Sequence, residues 1–98
     1  MSAFHVTADS AQVTVQLHGE VTVEHARDLQ AALRPVLAAD RPLVVDAGDL
    51  TRLDAAALQL LVAAARASAG ARLLAPAPAW EQAFRRYAVE DPCPSPNP

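Results

Sequence analysis

The sequence predicts an α/β fold in one small domain, with the element order β-β-α-β-α-β-α. Three observations carry that prediction. Residues Ala11 to His18 alternate apolar and polar with period two, the pattern of a strand with one wet face. Leu43-Val44-Val45 is a short, continuous apolar run, the pattern of a strand buried on both faces. Around them, apolar residues recur at three- and four-residue spacing, the pattern of amphipathic helices. Strands alternating with helices imply a small mixed sheet, largely parallel, with right-handed crossovers and helices packed on it.

The elements follow in order. Ala3 to Thr7 is a short strand, and Ala8-Asp9-Ser10 is a turn that leads into the alternating strand. Val13, Val15 and Leu17 face one way, while Gln12, Thr14, Gln16 and His18 face the other, and Gly19-Glu20 ends the strand. Thr22 is a helix N-cap, with Glu24 and Asp28 near the positive end of the dipole. Ala26, Leu29, Leu33, Val36 and Leu37 make the helical stripe. Pro35 lacks an N–H and clashes with the carbonyl of Ala31, which predicts a kink or an early end. Asp40-Arg41-Pro42 closes this segment.

After the strand at Leu43-Val44-Val45, Asp46 to Arg52 reads as a polar loop. Asp54 is the N-cap of the next helix, and Gly70 is its C′ residue. Residues Ala55 to Ala69 span about 22 Å, with Leu58, Leu61, Val62 and Ala65 inward and Gln59, Ala63 and Arg66 on another side. Ala71 to Leu74 is the next strand. Pro76 and Pro78 break it, and Pro78 fits the first turn of a last helix. Trp80, Ala83, Phe84 and Tyr87 make that helix amphipathic, and packing against the sheet explains them; a partner surface is the alternative. The domain is expected over residues 1–90. Pro92, Pro94, Pro96 and Pro98 make residues 91–98 a disordered or extended proline-rich tail.

Composition narrows the function. At 98 residues and 52% hydrophobic, the chain holds one core and is too apolar to be disordered. No apolar run approaches the roughly 20 residues of a membrane span, and the first residues lack the pattern of a signal peptide. Net charge is −3, and the eight basic residues, all Arg, are scattered, against the clustered basic face that nucleic acid needs. The single cysteine, Cys93, fits a reducing cytoplasm and reads as an exposed, incidental thiol in the tail.

Catalytic and cofactor motifs are missing. The chain has no lysine, which excludes a P-loop, and its three glycines exclude a dinucleotide cradle. There is no Gly-x-Ser-x-Gly elbow. His5, His18 and His25 have no metal-type pairing and read as surface or satisfied polar residues. Asp46, Asp49 and Asp54 lack the spacing of a calcium loop. No enzyme activity, cofactor or metal is expected.

The stretch from Leu43 to Leu61 is the informative one. It resembles the central motif of STAS domains, the sulphate-transporter and anti-sigma-factor-antagonist family. Those domains show an apolar strand, an acid, a short loop, then Asp-Ser-Ser-Gly-Leu opening a helix. Asp46 matches the acid, and Asp54 and Leu58 match the two ends of the signature. Gly19-Glu20 resembles the family's Gly-Glu or Gly-Asp after the second strand, and Gly70 before Arg72-Leu73-Leu74 also fits. The likeness covers residues 4 to 88.

The resemblance implies a STAS-like fold and a non-enzymatic protein-interaction module in bacterial regulation. In the anti-sigma-factor antagonists, a serine two residues after the signature aspartate accepts phosphate. The matching position here is Ala56, beside Ala55, with Ala57 in place of the glycine. Alanine has no oxygen, so no phosphoryl ester can form at this degenerate phosphosite. The expected partner-binding surface is Asp54, Ala55, Ala56, Gln59 and Ala63, docking constitutively. The plain alternative is that an Ala-rich helix simply has high helix propensity. Asp54 as a mere cap predicts a loss of about 1 kcal/mol on replacement by Ala. Thr51 is an alternative acceptor, or a loop threonine bonding local backbone.

The implied partner is a serine-kinase anti-sigma factor or another ATPase-fold protein. A STAS protein of a chemotaxis or sensory operon is an alternative. So is the small STAS subunit that binds the ATPase of a lipid-transport ABC system. A homodimer contact is available at the hydrophobic strand edge or the aromatic helix.

Overall fold

The computed structural model describes residues 3–37, 40–74 and 77–93. The strands are β1 (Phe4–Ala8), β2 (Val13–Val21), β3 (Leu43–Leu53) and β4 (Ala71–Leu73). The helices are α1 (Val23–Leu33), α2 (Ala55–Ala67) and α3 (Pro78–Arg86). The order is therefore β-β-α-β-α-β-α, as the sequence predicts. The sheet runs β1-β2-β3-β4; β1 pairs antiparallel with β2, and the other two pairings are parallel. The expected α/β architecture is the observed one.

The hairpin turn is built by Asp9. Its carboxylate accepts the backbone N–H of Ala11 at 2.7 Å and of Gln12 at 2.9 Å. These two bonds, with Arg41 nearby, hold the Asp9 carboxyl below its ordinary value. Beyond the turn, β2 sends Val13, Val15 and Leu17 inward, all buried. Two parallel crossovers that step the same way along a sheet leave their helices on one face. Accordingly Leu29 and Leu33 of α1, Leu58, Leu61 and Val62 of α2, and Trp80 and Phe84 of α3 join the same core as the inward row of β2. Each buried leucine contributes roughly 2 kcal/mol of apolar transfer. Thr14, Gln16 and His18, on the other face, are half-buried.

Several local expectations are corrected. Strand β2 does not stop at Gly19-Glu20, and Asp46 to Arg52 is not a loop. Both stretches belong to one bulged parallel pairing. Gln16 pairs with Asp46 but His18 with Asp49, and Gly19 with Leu50 but Glu20 with Arg52, so β3 carries two extra residues. Each extra residue breaks the period-two pattern, which is why Ala47, Leu50 and Leu53 are buried at three-residue spacing. Gly19 sits at φ +61, a conformation open to glycine, and Asp46 Oδ1 accepts the Gly48 N–H at 3.2 Å on the bulge.

Helix α1 ends at Leu33, ahead of Pro35, as the missing N–H requires. Its start is capped twice. Thr22 Oγ1 accepts the Glu24 N–H at 3.3 Å, and His25 Nδ1 accepts the Thr22 N–H at 3.0 Å. This is a capping box with histidine in the place usually held by Glu or Gln. Helix α2 ends at Ala67, two residues earlier than expected. Ser68 is the C-cap, its hydroxyl donating to the Ala65 carbonyl at 2.7 Å. Gly70 is thus not the C′ residue; it lies at φ +141 beside β4, its carbonyl accepting the Leu43 N–H at 2.8 Å.

Pro78 opens α3, as expected. The helix closes on a Schellman turn. The Val89 N–H donates to the Phe84 carbonyl and the Ala88 N–H to the Arg85 carbonyl, with Ala88 at φ +54. The chain then folds back so that Trp80 Nε1 donates to Asp91 Oδ2 at 3.0 Å, and the Cys93 N–H donates to Asp91 Oδ1 at 2.8 Å. Cys93 is buried, not exposed, which corrects its reading as a surface thiol. Burial first, and Asp91 second, push the thiol up from 9.0 to about 12. Residues 94–98 of the expected tail, and Pro76, lie outside the described residues.

Candidate functional site

Two helix starts meet at one end of the sheet. Strand β2 delivers Thr22 to the start of α1, and β3 delivers Asp54 to the start of α2. The Asp54 N–H donates to the Val21 carbonyl at 3.0 Å, which ties the two starts together. A shallow depression of about 450 Å³ lies between them, lined by Glu20, Thr22, Val23, Glu24, Arg52 and Asp54. Val23 is 63% exposed, an unusual degree of wetting for a large aliphatic side chain.

Asp54 occupies the N-cap position, with extended backbone and its carbonyl accepting the Leu58 N–H at 2.9 Å. Its carboxylate makes no capping hydrogen bond. Instead it accepts Arg52 Nε at 3.2 Å. The side chains of Arg52 and Asp54 are 57% and 27% exposed, so water screens the pair and it is worth well under about 1 kcal/mol. The expectation of Asp54 as a side-chain cap is therefore corrected: β3 hands it an arginine two residues upstream. With Arg52 engaged, the depression keeps two unpaired carboxylates, Glu20 and Glu24, among the described residues.

The first turn of α2 is open to solvent. Ala55 and Ala56 are exposed, and Gln59 and Ala63 continue the exposed side, while Ala57 and Leu58 are buried. Ala57 is small enough for the helix to seat closely on the sheet. The expected surface residues thus fall on one stretch of α2, with Asp54 half-buried at its head.

The remaining candidates scatter. Asp49 Oδ2 lies 3.6 Å from His18 Nδ1, and Asp46 is committed to the bulge. Among the described residues, no group of three or more His, Cys, Asp or Glu side chains could hold a metal ion. Thr51 is exposed on β3, in a strand and not in a loop. His5 faces solvent and His25 caps α1. No helix among the described residues is long and apolar enough to cross a membrane. Sequence reasoning missed Val23 and Arg52. The signal for Val23 is its place on the outward side of α1, in line with exposed Arg27 and Gln30 at four- and seven-residue spacing.

The family model described as Mlab, STAS domain matches residues 4–92. A solved anti-sigma factor antagonist from Mycobacterium paratuberculosis superposes with a TM-score of 0.74 at 22% identity, covering 96% of this chain and 85% of that one. The anti-sigma factor antagonist SpoIIAA in its unphosphorylated form gives 0.66 at 18% identity, covering 85% and 82%. At such identities the likeness is one of fold. No curated protein matches the sequence.

Proposed function

The chain belongs to the STAS domain family, and we propose that it works there as a non-enzymatic docking module that is always available to its partner. One observation carries this reading: Ala55 and Ala56 are exposed at the start of α2 and neither has a hydroxyl. The family resemblance puts the phosphate acceptor of anti-sigma-factor antagonists at position 56. A phosphoserine there would bring a charge near −2 to the docking surface. Ala56 keeps the surface neutral, and its small side chain admits close approach of a partner's backbone.

The partner on this reading is an ATPase-fold protein in the cytoplasm. The solved anti-sigma factor antagonists favour a serine-kinase anti-sigma factor. The Mlab description of the matching family favours the second reading, the STAS subunit that binds the ATPase of a lipid-transport ABC system. A STAS protein of a chemotaxis or sensory operon would use the same surface.

The test is to co-express the chain with candidate ATPase-fold proteins of its own genome, serine-kinase anti-sigma factors and transport ATPases in turn, and to purify each complex with ATP present. The wild-type chain should bind and take up no phosphate. Ala56→Ser restores the hydroxyl. With a serine kinase as partner, that variant should gain one phosphate and leave the complex. With a transport ATPase, it should stay bound and unmodified. Phosphate on the wild-type chain, at Thr51 or elsewhere, would overturn the reading of a constitutive module.

A further inference from the structure

We propose that the groove between α1 and the second half of α2 receives an amphipathic helix of the protein partner, which inserts a leucine-sized side chain and sets a carboxylate beside Arg34. The proposal rests on the reading of α2 as the docking helix and extends it to a second contact.

The groove is a product of the sequence. Pro35 stops α1, and the N–H groups of Val36 and Leu37 both turn back onto the Leu33 carbonyl. That turn leaves Leu37 half-buried at the side of α2. On α2, alanines stand at positions 63, 64 and 67, where larger side chains would fill the space. What remains is about 340 Å³, with Leu33 and Ala64 among its buried lining and Leu37, Leu60 and exposed Ala63 around it. Pockets that hold ligand groups begin near about 300 Å³.

Charge selects the occupant. Arg34 is the one charged residue on the lining, and it has no carboxylate in ion-pair range among the described residues. An apolar groove with an unpaired guanidinium suits an apolar side chain followed by Asp or Glu, because guanidinium and carboxylate pair with two parallel hydrogen bonds. Geometry lets one helix reach both contacts. Ala56 and Ala63 are seven residues apart, two turns of α2, so they lie on one side about 10 Å apart. A helix laid along α2 touches the neutral first turn and the groove together.

The experiment titrates the ATPase-fold protein retained in that co-expression into the intact chain by calorimetry. Ala63→Trp fills the groove, Arg34→Glu reverses its charge, and Ala56→Glu probes the first turn. All three positions are exposed, and circular dichroism checks the fold. Ala63→Trp and Arg34→Glu should each weaken binding about tenfold or more, and Arg34→Glu should also flatten the dependence on salt. If only Ala56→Glu weakens binding, the groove is not used and the proposal is overturned, while the docking reading stands. If only the groove variants weaken it, the groove stands and the first-turn reading falls. If sedimentation shows a wild-type dimer that Ala63→Trp dissolves with partner affinity unchanged, the groove holds a second copy and the proposal is overturned. A wild-type chain that does not bind overturns both.

Discussion

Trp80 donates its indole N–H to Asp91 across 3.0 Å, and this bond fastens the end of the described chain to the core. Trp80 is fully buried and its ring centroid lies 4.8 Å from that of Phe84. Removing the acceptor leaves a buried donor unsatisfied, which is costlier than the bond's own net worth. Asp91→Ala should therefore lose about 1–2 kcal/mol in urea denaturation followed by tryptophan fluorescence. Unchanged stability would mean that the segment after Glu90 is not fastened in solution.

Ala88 stands in the conformation that glycine prefers. At φ +54 an L-residue crowds its own carbonyl, at a cost of about 1 kcal/mol or more. Ala88→Gly removes that crowding but adds freedom to the unfolded chain. The net should be a gain of about 0.5 kcal/mol, read as a rise of a few degrees in Tm. A fall in Tm would contradict the Schellman turn.

Cys93 gives the fold a pH dependence with a defined sign. The folded state raises the thiol to about 12, so it holds the proton more tightly than the unfolded chain does at 9.0. The associated stability is complete below 9.0 and is lost as pH rises from there toward about 12. Denaturation across that alkaline range should show a decline in the wild type that Cys93→Ala lessens. The native thiol should also react slowly with a disulfide reagent in mildly alkaline buffer and quickly once the chain is unfolded.

The two helix starts should respond unequally. Thr22→Ala removes a real cap and should cost about 1 kcal/mol. Asp54→Ala removes only a screened pair with Arg52 and a favourable place near the helix dipole, and should cost about 0.5 kcal/mol. Equal costs in chemical denaturation would restore Asp54 to the role of side-chain cap.

Much of this was legible in the sequence, and the exceptions share a cause. The alternation of Val13, Val15 and Leu17, the apolar Leu43-Val44-Val45 and the stripe at Leu58, Leu61 and Val62 each repeat with one period, so each predicted its element. The stretch from Asp46 to Leu53 does not repeat with one period, because two extra residues in β3 shift the inward side. A bulged strand rich in Asp and Gly looks like a loop when it is read residue by residue. Cys93 reads as an exposed tail residue because the prolines around it hide the hydrogen bond that Trp80 donates to Asp91. At the site, the place of Asp54 before α2 was legible. The arginine that takes its carboxylate was not, since strand geometry decides where Arg52 points. The groove beside Arg34 depends on how two helices meet, which no single stretch of sequence records.

The central claim is that a neutral, exposed turn at Ala56 is the docking surface. Calorimetric titration of the ATPase-fold protein retained in co-expression, with the wild-type chain and with Ala56→Glu, tests it most directly. Ala56→Glu should lose at least about tenfold in affinity, with an unchanged circular dichroism spectrum. Equal affinity for the two chains would contradict it.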